Sequence, residues 1–570
     1  MSRSFACLLA ALAGISLAGC AGGAPATTAK PATGTGTISP DKLKGWLYAY
    51  AADSMEGREV GTPGNVKATT WIAAQAQRIG LTPAGDNGGW FQVLPLTQSQ
   101  VQPGSGFEVG GRRIEAETDM VLFGAFPMLG FSGTLEGTGI PTVYGGRIGD
   151  TSSGLTAEQV SGKLIVFDLP LSPVGKPMWQ FWNQLDRAIL GASRGALVIA
   201  NDAMPPQVMK YARRPQATLA DDGAPPTPAD APFVGSIGAV TAQAVLGADP
   251  ATLKVGAAGR PVNANVRTIA GPAPSPARNV VAILPGSDPT LKAQYVAVGA
   301  HNDHIGVSQP VDHDSVWAYN NVIRPTGAEA SPRAPTTAEA ARIQAIRDSL
   351  GRIRPSPRDS VYNGADDDGS GTVTVLAIAE ALAKAKVKPK RSLIFVWHTG
   401  EESGLWGSAW FTDHPTVPRD AIVAQLNIDM VGRGKVSDST GGGPGGPNQL
   451  QLIGSRRLST ELGDLVEKVN TTGGHGFTFD YALDADGHPA NIYCRSDHYM
   501  YARYGIPVTF FTTGVHQDYH MVTDEVEYID YQKMTKVARL IADIATQVAN
   551  LDHAPVVDKP KPDPKGECKQ

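Results

Sequence analysis

The sequence predicts an α/β fold, with a mixed and mostly parallel central sheet flanked by helices and interrupted by a β-rich insertion. Two observations carry this prediction. From residue 266 onward, short apolar runs suited to buried strands alternate with runs at helical spacing, a pattern typical of parallel α/β sheets. Between residues 121 and 265, short β-rich runs are separated by Gly and Pro, which indicates a separate β-rich unit.

The first twenty residues predict a signal peptide. Arg3 supplies a positive charge, and residues 5–17 form an apolar run that is short for a membrane span. The run ends in Leu17-Ala18-Gly19-Cys20, which resembles the lipobox of bacterial lipoproteins and implies cleavage before Cys20 and lipidation of that cysteine. Ala21 follows, so the acidic residue of an inner-membrane retention signal is absent. We therefore expect an outer-membrane anchor with the body facing the periplasm or the exterior, and secretion if the lipobox is not used.

Residues 21–40 are rich in Ala, Thr, Gly and Pro, which predicts a flexible tether. Residues 41–120 are assigned to the N-terminal part of the catalytic domain. Leu43, Leu47 and Tyr50 recur at helical spacing, and residues 65–79 form an amphipathic pattern with Gly80 at its C-terminal end.

The β-rich insertion, residues 121–265, contains strand candidates at 163–167 and 196–199. In the catalytic part, residues 266–552, we expect a helix over 371–385 and sheet strands over 279–284, 295–298, 393–397, 422–428 and 508–511.

Residues 305–360 form a long insertion within the catalytic part. Its charged run 336–350 is a helix candidate, and the insertion could form a lid or a partner surface. The tail 553–570 repeats Lys-Pro and Asp-Pro and is predicted to be disordered.

Composition restricts the class of protein. The net charge of −5 is small for 570 residues, which argues against a nucleic-acid binder. After processing, Cys494 and Cys568 would be the cysteines left besides Cys20. Because Cys568 lies in the predicted tail, we expect no disulfide between them, and Cys494 to be a small buried side chain.

Five residues suggest a site for two metal ions. Several follow predicted strands directly, and side chains at the carboxyl ends of parallel strands gather at one edge of a sheet. Imidazole nitrogen and carboxylate oxygen are zinc ligands, and two ions need a bridging carboxylate between two terminal sets. The predicted ligands are His301, Asp366, Glu402, Asp429 and His520.

Neighbouring residues could complete the chemistry. Asp303 lies two residues after His301 and could accept its second ring N–H. Of the adjacent pair Glu401 and Glu402, one could bind metal while the other takes a proton from water. A calcium loop at 363–371 is the competing interpretation, but the remaining oxygen ligands are missing at loop spacing. His304, His398 and His516 are assigned no ligand role, and the first two are expected in the pocket wall or core.

These motifs resemble those of the co-catalytic zinc exopeptidases, which include bacterial aminopeptidases and glutamate carboxypeptidase. The resemblance covers about residues 41–550 and is strongest in five segments: 299–304, 363–371, 401–408, 427–432 and 496–520. The run 55–61 is similar to the N-terminal helical segment of that family, and the insertion 121–265 resembles a protease-associated domain. A plain interaction module is the alternative for that insertion.

The resemblance implies two Zn²⁺ ions, with Mn²⁺ or Co²⁺ as possible replacements. Asp366 would bridge them, with a cis peptide to Asp367. His301 and Asp429 would complete one site, and Glu402 and His520 the other, with Glu401 as the general base and Asp303 holding His301.

The implied activity is aminopeptidase action on peptide substrates. A carboxypeptidase or dipeptidase is the alternative within the family, with Arg433 or Arg495 binding a substrate carboxylate. A glutaminyl cyclase-like acyl transferase and a catalytically inactive binding module are further alternatives.

Overall fold

The computed structural model describes residues 38–125, 131–150, 154–171, 187–204, 209, 212–220, 231–434 and 446–570. The predicted signal peptide, the lipidation site Cys20 and nearly all of the tether 21–40 lie outside these residues. Among the helices of the described residues, none combines the length and apolar character that crossing a membrane requires.

A mixed sheet forms the centre of the molecule, as the sequence predicts. Four of its strands lie side by side in parallel, in the order Ser392–His398, Tyr295–His301, Ile422–Ile428 and Val508–Thr512. Antiparallel strands extend the sheet on both sides. These are Thr82–Pro83, Phe91–Leu94 and Ala277–Leu284 on one side, and Gln449–Ile453, followed by its parallel neighbour Thr478–Asp480, on the other.

Helices cover both faces of this sheet and confirm the predicted α/β class. The helices predicted near residues 43–50, 65–79, 336–350 and 371–385 all form. The helices of the catalytic part are Pro40–Tyr50, Pro63–Ile79, His313–Ile323, Thr337–Gly351, Gly371–Lys384, Trp406–Asp413, Thr460–Thr472, His498–Ala502 and Tyr531–Asn550.

Successive side chains of each strand point to opposite faces of the sheet, which divides the core into two layers. In Ser392–His398, the side chains of Leu393, Phe395 and Trp397 pack on one face, and those of Ile394 and Val396 pack on the other. Both sets are fully buried, which explains why the strands read as continuous apolar runs in the sequence. The first layer receives the helices Gly371–Lys384 and Tyr531–Asn550.

The β-rich region consists of two further sheets with their own core clusters. One contains Met120–Leu122, Thr142–Arg147, Leu164–Asp168, Gly195–Ile199 and Phe233–Ile237. The other contains Leu96–Val101, Gly106–Val109, Arg112–Glu115, Thr134–Ile140, Gln216–Leu219 and Val262–Pro272. Short helices accompany them at Ala116–Asp119, Ala157–Val160, Arg187–Ala192 and Ala239–Leu246.

The start of the β-rich region differs from the predicted boundary at residue 121. Strands Leu96–Val101 and Gly106–Val109 both pair with Val262–Pro272, so the second sheet begins well before residue 121. The pairing spans about 160 residues of sequence, which a local pattern does not reveal.

The insertion 305–360 folds onto the catalytic part. A two-stranded ribbon, Val307–Asp312 with Arg358–Val361, encloses the helices His313–Ile323 and Thr337–Gly351. The insertion contacts the segment that carries His520, where the Ala328 N–H donates to the Tyr519 carbonyl at 3.0 Å.

Two predictions about the C-terminal segment are wrong. Residues 553–570 are ordered against the catalytic part, where the Asp558 N–H donates to the Leu458 carbonyl at 3.1 Å. Cys494 and Cys568 form a disulfide, with sulfur atoms 1.98 Å apart. The Pro-rich composition suggested disorder, but the disulfide attaches the segment to the fold.

Candidate active site and metal centre

The site lies at the carboxyl edge of the four parallel strands. His301 is the last residue of Tyr295–His301, and Asp429 directly follows Ile422–Ile428. Glu402 and His520 lie in the segments that follow the other two strands. Because parallel strands end at the same edge, residues far apart in sequence converge there, as expected.

Asp367 occupies the centre of the site. Its Oδ1 lies 3.1 Å from Nε2 of His301, and its Oδ2 lies 3.0 Å from Nε2 of His520. The preceding turn depends on Gly364, which has φ of +50°, and a Cβ there would lie 2.2 Å from the Asp367 carbonyl oxygen. One carboxylate therefore faces both imidazoles, as a bridging metal ligand must.

The first donor set combines His301 and Asp429 with Asp367. Oδ1 of Asp429 lies 3.7 Å from Nε2 of His301. The Ser496 hydroxyl donates to the other oxygen, Oδ2, at 2.9 Å, so Oδ1 is left facing the imidazole. Nδ1 of His301 lies 3.1 Å from the Asp303 carbonyl oxygen, which fixes the ring with Nε2 toward the centre.

The second donor set combines Glu402 and His520 with Asp367. Nε2 of His520 lies 2.9 Å from Oε2 of Glu402. His304, which the sequence placed in the pocket wall, has its Nδ1 2.7 Å from Oε1 of Glu402. The ligand atoms of these four residues all lie within 4.8 Å of one another, so His304 is either a holder of Glu402 or a further ligand.

Asp366, the predicted bridging residue, is not part of this centre, and the assignment is corrected to Asp367. Oδ1 of Asp366 accepts the Gly432 N–H at 2.6 Å, and Oδ2 lies 3.3 Å from Nε2 of His516. The cis peptide bond also lies one residue later than expected, between Asp367 and Asp368. Three consecutive aspartates point in different directions from one turn, and sequence spacing alone does not distinguish them.

Asp368 has a supporting position. Its Oδ2 accepts the N–H of His301 at 3.1 Å, and its Oδ1 accepts the N–H groups of Gly371 and Met430 at 2.9 and 3.1 Å. Burial raises the pKa of Asp368 well above its usual value. This side chain joins the end of the His301 strand to the start of helix Gly371–Lys384.

Glu401 lies beside both donor sets, and Asp303 holds the segment that carries it. The Asp303 carboxylate accepts the N–H of Glu401 at 3.1 Å and of Glu402 at 3.3 Å. The Asp303 carboxylate, the predicted partner of His301, lies close to the ring, with its Oδ1 3.7 Å from Nδ1. Nδ1 bonds instead to the backbone carbonyl of Asp303. Burial raises the pKa of Glu401 well above its usual value, and repulsion from Glu402 and Asp429 adds to the effect.

Arg58 is a positioning residue that sequence reasoning missed. Its fully buried guanidinium donates to the carbonyl oxygens of Asn363 at 2.6 Å and Gly364 at 3.0 Å, and lies 4.7 Å from the ring centroid of Tyr50. It thereby holds the turn that presents Asp367. The segment 55–61 resembles the N-terminal helical segment of the family, but nothing in its sequence indicates a contact with residues 305 positions away.

A cavity of about 300 Å³ opens beside Glu401, Asp429 and Asp367. Arg495, one of the two predicted anchors for a substrate carboxylate, lines it and donates to Glu329 from the insertion 305–360. Arg433, the other, does not line the cavity. It is buried and donates to Oδ2 of Asp518 at 2.8 Å, so its predicted substrate role is corrected to a structural one.

The apolar part of the cavity wall comes mainly from two regions of the chain, around residues 483–492 and 510–519. Its members are Met430, Leu483, Ala490, Ile492, Phe510, Val515 and Tyr519.

Comparison with known proteins agrees with this geometry. Residues 279–545, which contain all the metal-site residues, match the model of Peptidase family M28. This part of the chain belongs to Peptidase family M28. The match confirms the predicted family and supports a peptidase hydrolase, and membership of this family implies zinc. No curated protein matches the chain.

Several solved structures resemble the chain at low identity. An aminopeptidase from Aneurinibacillus sp. strain AM-1 is 15% identical over 93% of this chain and 98% of its own, with a TM-score of 0.47. A zinc aminopeptidase from Bacillus subtilis is 16% identical over 90% and 95%, with a TM-score of 0.46. A Peptidase M28 precursor from Shewanella amazonensis SB2B is 15% identical over 92% and 100%, with a TM-score of 0.40. None of these likenesses assigns a role to a residue of this chain.

Proposed function

We propose that this M28 protein is an aminopeptidase that uses two zinc ions and Glu401 as general base. One observation carries the proposal. The carboxylate of Asp367 lies between two complete donor sets, and Glu401 stands beside them where an apolar cavity begins. His301 and Asp429 would complete one ion's ligands, and Glu402 and His520 the other's.

The unpaired atoms of the site fit metal ions. Oδ2 of Asp367, Oδ1 of Asp429 and Nε2 of His520 are buried and lack a hydrogen-bond partner among the described residues, although each lies near another ligand atom. Buried polar atoms are rarely left in this state. Donor atoms that converge without bonding one another have the arrangement that a cation between them would satisfy. When bound, the zinc ions would acidify water and polarise the scissile carbonyl.

Glu401 would move the proton. Its raised pKa brings a glutamate closer to the range in which a general base both accepts and returns a proton near neutral pH. It would accept a proton from the attacking water and deliver it to the leaving amine. Asp303, through the N–H bonds to Glu401 and Glu402, would fix both side chains relative to the centre.

The cavity supports exopeptidase action on residues with apolar side chains. At about 300 Å³ it suits one side chain rather than an extended segment, and its wall is mostly apolar. An α-ammonium group needs a carboxylate, and Glu329 offers one that is not among the metal ligands. A substrate carboxylate would need a cation, which Arg495 offers; because Arg495 and Glu329 are paired with each other, the ion pair alone does not favour either terminus.

The proposal is tested with matched peptides that begin with Leu. They carry free or acetylated N-termini and free or amidated C-termini, and products are identified by mass spectrometry. Loss of N-terminal residues only from unacetylated peptides is expected. Trimming that requires a free C-terminus would replace the proposal by carboxypeptidase action, and no cleavage would refute a peptidase role. Glu401→Gln protein, purified in the same way, controls for contaminating peptidases.

A matched pair of variants tests the terminus that the cavity binds. Glu329→Gln keeps the shape of the side chain but removes its charge, and we expect a KM roughly 10-fold higher for free-amine peptides. Arg495→Gln should affect KM less. The opposite ranking would indicate that Arg495 binds a substrate carboxylate.

We also propose that the protein is anchored in the bacterial envelope through lipid on Cys20. The Cys494–Cys568 disulfide supports an exported location, because disulfides persist in oxidising compartments. The intact mass of the mature protein tests this proposal. A lipid-sized increment that is lost in Cys20→Ser supports it, and an unmodified Cys20 in the mature chain refutes it.

A further inference from the structure

A third group of metal-ligating side chains lies outside the site described above. It consists of His313, Asp359 and Glu525, each of which offers a ligand atom within 4.8 Å of the other two. His313 begins helix His313–Ile323, and Asp359 lies in the strand Arg358–Val361, both in the insertion 305–360. Glu525 lies five residues after His520. The group therefore joins the insertion to the segment that carries a residue of the active site.

The imidazole of His313 is held as a metal-binding histidine is held. The side chain is only 8% exposed, and Nδ1 lies 3.1 Å from Oδ1 of Asp314. Arg354 donates to both oxygens of Asp314, at 3.2 and 3.0 Å, which keeps that carboxylate an acceptor. Nδ1 therefore carries the proton, and Nε2 presents its lone pair.

The two carboxylates lack a positive partner. Oε1 of Glu525 accepts from the Asn363 side chain at 3.1 Å, and Oδ1 of Asp359 accepts the Val361 N–H at 3.0 Å. Among the described residues, no Lys or Arg forms an ion pair with either carboxylate. Two half-buried carboxylates with ligand atoms within 4.8 Å repel each other when both are charged, and a cation between them removes that repulsion.

We propose that His313, Asp359 and Glu525 bind a third divalent cation of the zinc class. A neutral imidazole with two carboxylates suits Zn²⁺, Co²⁺ or Mn²⁺, whereas Ca²⁺ and Mg²⁺ prefer oxygen alone. The Arg354–Asp314–His313 chain is the outer support that such a ligand needs. The ion would fasten the insertion, and with it Glu329 at the cavity, to the segment that carries His520.

The role of the third ion is structural and does not depend on the proposed aminopeptidase activity. The third ion can be counted separately from the central ions. Asp367→Asn removes the bridging ligand of the central site and leaves His313, Asp359 and Glu525 unchanged. Zinc bound per chain can therefore be measured with and without the central ions.

The test measures zinc content by mass spectrometry of the purified full chain after removal of free metal. We expect Glu525→Gln, which keeps the acceptor for Asn363, and His313→Gln each to bind one equivalent less than the unchanged chain. Asp367→Asn should retain one equivalent, which is lost when it is combined with Glu525→Gln. The control His553→Gln alters an exposed histidine paired with Glu461 and should leave the content unchanged.

Equal zinc content in the unchanged chain and in Glu525→Gln would overturn the proposal, whatever the peptidase assay gives. If His313→Gln fails to fold, the comparison of Glu525→Gln with the unchanged chain still decides the question. Gln conserves the shape of Glu525, and this side chain is only half-buried. Far-ultraviolet circular dichroism identifies a misfolded variant before metal is counted.

Discussion

Replacing Asp367 by Asn tests the centre of the site most directly, and Asp366→Asn provides a control one residue away. In Asp367 the two carboxylate oxygens lie 3.1 and 3.0 Å from the imidazoles of His301 and His520. An amide offers one neutral oxygen and one NH₂ group. The NH₂ group would face one of the two imidazoles and could not bind metal there.

The expected magnitude follows from this geometry. Loss of a residue that merely supports a metal ligand lowers metal affinity about 10- to 100-fold. Asp367 is itself the shared ligand, so Asp367→Asn should weaken zinc binding at the centre by more than about 100-fold, or about 2.7 kcal/mol. Peptidase activity should fall with it.

Asp366→Asn should behave differently although the same charge is removed. Oδ1 can still accept the Gly432 N–H, but the new NH₂ group would replace the oxygen that lies 3.3 Å from His516. Disturbing this buried contact should cost about 1–3 kcal/mol in the free energy of unfolding. Zinc content at the centre should remain.

Isothermal titration with zinc and urea unfolding together separate the two variants. Asp367→Asn is expected to lose central zinc binding, and Asp366→Asn is expected to lose stability while binding zinc. If Asp366→Asn loses the central zinc and Asp367→Asn keeps it, the assignment of the bridging ligand is wrong, and the original expectation from the sequence is restored.

Three further predictions concern proton transfer by Glu401, the hydrogen bonds of Arg58 and the effect of pH on stability. Glu401→Gln should lower kcat by about 10²- to 10⁴-fold with zinc content unchanged, and near-normal turnover would rule Glu401 out as the base. Arg58→Met leaves two buried carbonyl oxygens unpaired and should cost about 3 kcal/mol in urea unfolding, whereas the exposed Arg78→Met should cost under about 0.5 kcal/mol. Burial lowers the pKa of His498 from 6.5 to about 3, so the unfolded chain binds a proton below pH 6.5 that the folded chain does not. Stability should therefore fall by about 2 kcal/mol between pH 7 and 5 through this residue, a loss that His498→Phe should abolish and His553→Gln should not.

The strands and helices near the site could be predicted because their burial is visible in the sequence. The run 422–428 was predicted as a strand and is one, since every side chain in it is buried. Gly80 ends its helix in the left-handed conformation, with φ of +89°, as its position after an amphipathic run suggested. These signals are local, so one sequence contains them completely.

The arrangement around Asp367 could be predicted only in part. Strand ends correctly indicated where His301 and Asp429 would lie. Which aspartate of three faces the centre depends on the backbone of a turn held by Arg58 and Asp524, whose carboxylate accepts the N–H groups of Asp366 and Asp367 at 3.0 and 3.1 Å. Those contacts join segments 157 or more residues apart, and nothing in the local pattern encodes them.

The same reason explains the errors about Cys568 and Arg433. A Pro-rich segment appears disordered when its own composition is considered, and the disulfide partner Cys494 lies 74 residues away. An arginine near a metal motif resembles a substrate anchor until Asp518 is placed beside it. Long-range contacts decide both cases, and they are the part of the fold that a single sequence expresses least.

The charges of the site indicate how metal binding and folding are connected. Asp367, Glu402 and Asp429 are close together, and across the described residues their ion-pair partners are histidines, with no Lys or Arg among them. Burying three carboxylates without fixed cations is costly, so bound dications would act as their counter-charges. The sheet beneath has an apolar core of its own. We infer that bound metal stabilises the turn around Gly364 and the segment that carries Glu402, because these segments present the buried carboxylates.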